Sequence, residues 1–230
     1  MRRWVLLGVL LLLAALAAVL EYTRRPGVDA FAVSGIDVSH HQGAIDWTKV
    51  GAHGVKFAFI KATEGRDHLD TRFHENWEGA AQAGVTRGAY HFFTFCSPGN
   101  AQADHFLAVV PPTPGVLPPV VDVEFAGNCK AWSTIDDIRA ELQVMLDRLE
   151  EAWGLRPLLY LTNESERRII EGHFDRYPIW IRNVYWRPAP DDPTWLFWQF
   201  TDEGTVDGIA TPVDQNVYRG RPDELSALLR

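Results

Sequence analysis

Leu117-Pro118-Pro119-Val120-Val121-Asp122-Val123-Glu124-Phe125 is the stretch on which the reading of this chain turns. A Pro-Pro stop followed by an apolar run has the length and composition of a short buried strand. Side chains alternate along a strand. Asp122 and Glu124 therefore project to one face and Val123 to the other, with the two acidic Cα atoms ~6.5 Å apart. Two carboxyls side by side at the end of an apolar strand raise each other's pKa, and burial raises it further. A carboxyl that keeps its proton near neutral pH is a general acid. The bland alternative is a pair of acids salt-bridged to Arg or Lys at a strand end, and this segment alone leaves both readings open.

Working outward, strands and helices alternate. Residues 33–39 form a first strand ending near Asp37, and 55–62 a second that carries Lys61. Residues 71–83 read as a helix with Phe73, Trp77, Ala80 and Ala81 on one face and Gly84 closing it. A strand at 86–93 and a helix at 100–109 lead to the Asp122/Glu124 strand. Ser133 is the expected N-cap of the longest helix, to Trp153, with Asp136 as a weak capping-box partner. Ile138, Leu142, Met145, Leu146 and Leu149 mark its apolar face. A strand at 157–162, a short polar helix at 164–171, and strands at 179–181, 196–200 and 213–218 complete the chain. This alternation predicts an α/β fold with a parallel sheet: an irregular TIM-like β/α barrel of about five β/α units followed by three strands, in a single domain. Sites in such barrels lie at the C-terminal ends of the strands. Asp37, Lys61, Asp122, Glu124 and Gln199 all fall there, and three acids converging on one rim favour catalysis over an incidental ion pair.

The 230 residues and 47% hydrophobic content suit one domain with a filled core, spanning 33–222. A net charge of −8 argues against a nucleic-acid partner, which needs a basic face. Residues 1–21 read as an export signal or membrane anchor: Met1-Arg2-Arg3 is basic, and residues 4–20 are uncharged. At 17 residues this run is at the lower limit for a spanning helix, with Trp4 and Tyr22 as interfacial anchors, and the balance leans to an uncleaved anchor. Residues 22–32 are a linker and 223–230 a C-terminal tail. The protein is therefore expected outside the cytoplasm, periplasmic or extracellular, as a monomer. In that compartment Cys96 and Cys129, each just past a strand at the same end, are expected to form a disulfide. Two separate buried thiols are the alternative.

Five ordered segments carry a family resemblance: Asp37-Val38-Ser39-His40-His41-Gln42-Gly43, Ile60-Lys61-Ala62-Thr63-Glu64-Gly65, Gly88-Ala89-Tyr90-His91-Phe92, Asp122-Val123-Glu124 and Asp214-Gln215-Asn216. Together, from about Gly35 to Tyr218, they resemble glycoside hydrolase family 25, the N-acetylmuramidase-type lysozymes. The Asp-x-Glu pair alone is weak; the ordered set is specific. The resemblance implies the irregular barrel already read from the strands. It also implies a site made of Asp37, Asp122, Glu124 and Asp214, a retaining outcome, and peptidoglycan glycan strands as the partner. The chain departs from the family pattern after Glu64-Gly65, where His68 and Leu69-Asp70 follow. The Cys pair is not general to the family, and no wall-binding repeats follow the barrel.

On this reading Glu124 protonates the glycosidic oxygen, its pKa raised by Asp122. Asp122 attacks the anomeric carbon or stabilises the substrate's own N-acetyl group as nucleophile. Asp37 and Asp214 hold the pair and the sugar by hydrogen bonds. Lys61, Tyr90, Tyr160, Trp180 and Gln199 are candidate substrate-binding residues, although core packing is the default for any strand aromatic, and Lys61 also suits a charge pair with Glu64. Alternation puts Trp198 and Gln199 on opposite faces. No metal or other cofactor is expected, because His40, His41 and His91 lack ligand spacing. Two other readings compete: a chitin-type hydrolase of N-acetylglucosamine glycans, and a catalytically silent membrane-tethered glycan-binding module.

Overall fold

The structure is a computed structural model that describes residues 2–24, 31–129, 134–189 and 194–229. Its elements are α1 (Arg2–Arg24), β1 (Val33–Val38), α2 (Trp47–Ala52), β2 (Phe57–Glu64), β3 (His68–Leu69), α3 (Phe73–Gln82), β4 (Thr86–Phe92), α4 (Gly99–Val109), β5 (Val120–Val123), α5 (Ile135–Trp153), β6 (Leu158–Thr162), a short α6 (Asn163–Ser165), β7 (Ile179–Arg182), β8 (Trp195–Gly204), β9 (Val213–Tyr218) and α7 (Pro222–Ala227). Strands β1, β2, β4, β5, β6, β7 and β8 run parallel in that order; β9 is antiparallel to both β8 and β1 and closes the ring. This is the expected eight-stranded barrel, with β3 as a two-residue addition at the end of β2.

The reversal of β9 matters for the site. In the parallel strands the functional rim is at the C-terminal end, but in β9 it is at the start. Asp214, second in its strand, therefore lies directly opposite Asp37 in the ladder.

The core has two layers. Outside the barrel, the strand residues Ile36, Ile60, Val121, Val123 and Leu161 pack against the helices, with Leu142, Met145, Leu146 and Leu149 of α5 fully buried. Inside, the barrel is filled by rings: Phe57, Phe59, Trp180, Phe197, Tyr160 and Tyr218. Phe59 stacks on Trp180 with centroids 4.5 Å apart, and Phe57 meets Phe197 edge-on at 5.1 Å. Rings this large fit because the facing strands supply glycine. A Cβ on Gly35 would sit 2.5 Å from the Phe57 ring, and one on Gly88 2.8 Å from Phe59. The heavy aromatic content thus goes largely to the interior. The expected tail from residue 223 is helical at its start, as part of α7, whose Leu225 is buried in the inner layer at the end of the barrel opposite the rim.

Three local expectations shift. The cap of α5 is Thr134, with Asp137 as its reciprocal partner, one residue on from the expected pair; Ser133 lies outside the described residues. Ala81 is exposed, and the buried face of α3 runs through Phe73, Asn76 and Ala80. The reason is Trp47, whose indole N–H donates to Asn76 Oδ1 at 3.2 Å and whose ring lies where a Cβ on Gly79 would be. At the N-terminus, α1 exposes Val9, Leu10, Leu11, Leu12, Leu13, Leu16 and Val19. Among the described residues no helix is long and apolar enough to cross a membrane, so the anchor has no support from the structure. Most of the expected linker, residues 25–30, lies outside the described residues.

Leu142→Ala should remove about 2–5 kcal/mol of stability, because its side chain is fully buried between α5 and the barrel. Val144→Ala, on the exposed face of the same helix, should stay within about 0.5 kcal/mol. Urea unfolding of the two variants checks this.

Candidate active site

The rim is built around Asp37. Its carboxyl is buried, and its Oδ2 accepts from Gln199 Nε2 at 2.8 Å and from Asn216 Nδ2 at 2.7 Å. Each amide is oriented from behind. The Tyr160 hydroxyl donates to Gln199 Oε1 at 3.0 Å, and the Trp180 indole N–H donates to Asn216 Oδ1 at 2.7 Å. With both amide oxygens occupied as acceptors, both amide N–H groups turn toward Asp37. These two relays stabilise the ionised form of Asp37. Burial still outweighs them and lifts its pKa to about 6. Asp214 shares a hydrogen bond with Asp37, and burial, reinforced by the Asp37 charge, pushes Asp214 up to about 9. The two amide donors on Asp37 favour its ionised form, so a proton shared by this pair is favoured on Asp214.

Asp122 and Glu124 come from β5 and the residue just after it. Both carboxyls are pushed up, and in both cases burial is the largest cause. Like charge, the cause expected from the sequence, comes second to burial. The Glu124 and Asp122 charges disfavour each other, Asp214 adds to the rise at Glu124, and Arg182 and Lys61 oppose it there. Asp122 Oδ1 is buried and has no hydrogen-bond partner among the described residues.

The loop that follows the pair is fastened to its neighbour. Asn128 Nδ2 donates to the backbone carbonyls of Phe93 and Glu124, both at 2.9 Å, while its Oδ1 accepts from Phe95 N at 2.9 Å. Cys96 and Cys129 are disulfide-bonded across the same two loops, with Cα atoms 6.3 Å apart. Backbone and covalent clamps therefore hold the carbonyl of Glu124 in place while its side chain stays partly open.

Two hollows of about 390 Å³ each flank the pair and share Tyr90, Asp122, Glu124 and Ala126 in their walls. The first also carries Asp37, Tyr160, Trp180, Arg182, Gln199, Asp202 and Asp214. The second carries Ser39, His41, Lys61, Glu64 and Phe92. The carboxyl pair thus stands at the waist of a two-lobed cleft. A larger cavity of about 670 Å³ lies at the opposite end of the barrel, lined by Pro118, Leu158, Leu196 and Leu228; it has no converging carboxyls and is remote from this chemistry.

Asp37, Asp122, Glu124 and Asp214 come together, with Tyr90, Tyr160 and Gln199 in the same walls. Burial and the surrounding carboxylates push the Tyr90 and Tyr160 phenols up, so both are neutral. Lys61 lines the second hollow and is paired with Glu64 at 2.7 Å. Trp180, expected to bind sugar, is 1% exposed. Its ring is held by Phe59, Tyr160 and Asn216, and it forms the floor instead. Trp198 faces the outer layer, opposite Gln199. Sequence reasoning missed Asn216, Asn128, Arg182 and Asp202. Alternation could have found two of them, since Asn216 is two residues from Asp214 and Arg182 two from Trp180 on the same inward faces. Among the described residues, no group of three or more His, Cys, Asp or Glu side chains is placed to hold a metal ion.

With this geometry in view, comparison with known proteins gives a consistent result. Residues 36–209 match the family described as Glycosyl hydrolases family 25; the match ends before Asp214. The YegX protein of Escherichia coli strain K12 is 38% identical over 206 residues, covering 87% of this chain and 74% of that one. Lysozyme M1 of Streptomyces globisporus is 35% identical, covering 90% and 74%. The structure of a family 25 glycosyl hydrolase from Bacillus anthracis superposes with a TM-score of 0.82 at 38% identity, covering 89% of this chain and 96% of that one.

The Asp214 carboxyl generates a stability prediction. Its folded pKa of about 9 lies above its ordinary value of 3.8. Between these values the folded chain holds a proton that the unfolded chain has lost, so the contribution to stability falls as pH rises through that window. Asp214→Asn keeps a donor toward Asp37 and removes the titration. Its urea midpoint should therefore decline less than the parent's between pH 5 and pH 8.5. Parallel declines in the two proteins would contradict the assignment of the proton to Asp214.

Proposed function

The chain belongs to glycoside hydrolase family 25, and from that premise we propose that it cleaves the β-1,4 bond between N-acetylmuramic acid and N-acetylglucosamine in peptidoglycan. The carrying observation is the Asp122/Glu124 pair at the waist between two hollows, each about 390 Å³. A glycan strand laid along the cleft has one sugar in each lobe and its glycosidic oxygen at the pair.

Glu124 is the general acid. It is the more open of the two, and burial favours its protonated form, as donation to a leaving oxygen requires. Asp122 works on the other side of the reacting carbon. Its unpartnered Oδ1 suits the N–H of the 2-acetamido group, which supports participation of the N-acetyl oxygen as nucleophile, with Asp122 orienting it and stabilising the charge that develops. Direct attack by Asp122 is the other retaining route. Asp37, ionised by its two amide donors, and Asp214, protonated, hold the sugar hydroxyls and set the field around the pair. Tyr90, Tyr160 and Gln199 supply polar contacts in the same lobe. No step in this sequence requires a metal, and a chelator should leave the rate unchanged.

The basic residues at the start and the uncharged run at 4–20 support export, so the barrel meets its substrate outside the cytoplasm.

Glu124→Gln should fold like the parent and release reducing ends from purified peptidoglycan about 10²–10⁴-fold more slowly. In the parent, the rate should fall on the alkaline side as Glu124 loses its proton and on the acid side as the ionised neighbours gain theirs. A Glu124→Gln rate within a few-fold of the parent would remove Glu124 from the role of acid. Release from chitin but not from peptidoglycan would favour the chitin-type reading, and no release from either would favour the silent module.

A further inference from the structure

The first lobe of the cleft holds one cation, and it has no part in the steps above. Five carboxyls line it, from Asp37, Asp122, Glu124, Asp202 and Asp214, and Arg182 is the single cation among the described lining residues. The muramoyl unit differs from an N-acetylglucosaminyl unit by one substituent, a lactyl ether at O3. Its carboxyl is either free, and then an anion, or amide-linked to a peptide, and then a neutral carbonyl acceptor. The ionised carboxyls of this wall repel the first form, and only a cation among the lining residues can offset that repulsion.

We propose that Arg182 binds the carboxyl oxygens of this lactyl group and thereby selects muramoyl units for the first lobe. The proposal rests on the peptidoglycan reading above. The guanidinium is preset for the task. Arg182 ends β7, in register with Gln199 of β8, and shares the inward face of Trp180. Its Nη2 donates to Asp202 Oδ2 at 2.6 Å. That bond uses one of five N–H donors and fixes the plane of the fork, which matches a carboxylate bidentately. The side chain is 32% exposed, so a ligand in the lobe reaches it. Asp202 is then a positioning residue that acts through Arg182. Lys61 does not compete for this role. Its side chain is 12% exposed, with the ammonium tied to Glu64 at 2.7 Å and set over the Phe92 ring, in the other lobe.

The test uses the full chain and two substrates: glycan strands bearing their peptides, and the same strands stripped by an amidase to leave free lactyl carboxylates. The readout is the ratio of kcat/KM, stripped over peptide-bearing, in the parent, Arg182→Ala and Arg182→Lys. A charge-assisted fork is lost only in part on the amide form. The ratio should therefore fall about tenfold in Arg182→Ala and take an intermediate value in Arg182→Lys, which restores the charge but not the fork. An unchanged ratio, with both substrates slowed in parallel, would overturn the proposal and leave Arg182 as a neighbour of Glu124 or a support of the fold. A parent that cuts neither strand set would overturn the peptidoglycan reading, and this inference with it, so the two failures are distinguishable.

Discussion

Four carboxyls share the mouth of one barrel, and burial opposes the ionisation of every one of them. The rest of the site can be understood as the means by which this crowding is tolerated. Two amides, each turned by a buried donor behind it, give Asp37 enough hydrogen bonds to carry charge. Asp214 takes the proton that Asp37 gives up. Burial pushes the pKa of both Asp122 and Glu124 up; Lys61 opposes this at Asp122, and Arg182 and Lys61 oppose it at Glu124. A cluster of this kind has a stability cost at neutral pH. Natural chains retain such costs where a carboxyl must hold a proton that water would remove.

The scaffold makes the crowding possible. The reversed β9 sets Asp214 across from Asp37, which a parallel eighth strand would not do. The ring-filled interior forms a rigid floor, and Trp180 and Tyr160 belong both to that floor and to the two relays that reach Asp37. Behind Glu124, Asn128 joins the ends of β4 and β5, and the Cys96–Cys129 bridge joins the same loops covalently. The acid therefore stands on backbone fixed from two directions, while its side chain remains partly open to the cleft.

Much of this was legible in the sequence because strand periodicity is a local property. The Pro-Pro stop and alternation placed Asp122 and Glu124 on one face without knowledge of the fold, and the same rule separated Trp198 from Gln199. What was not legible is non-local. Asp214 could be placed only by the family resemblance, because the direction of β9 is not written in residues 213–218. The choice between core and cleft for Trp180 is set by Phe59 and Tyr160, which are distant in sequence. Asn216 and Arg182 were passed over because a polar residue at a strand end has no meaning until its partners are known. The α3 face was drawn through Ala81 since Asn76 is polar, and only the indole of Trp47 makes a buried Asn stable there.

The central claim is that this carboxyl cluster opens the bond on the reducing side of a muramoyl unit. The most direct measurement is mass spectrometry of fragments from purified peptidoglycan, reduced with borohydride to tag each new chain end. The account predicts muramitol at the new ends. Glucosaminitol there would contradict it and make the enzyme a glucosaminidase on the same scaffold.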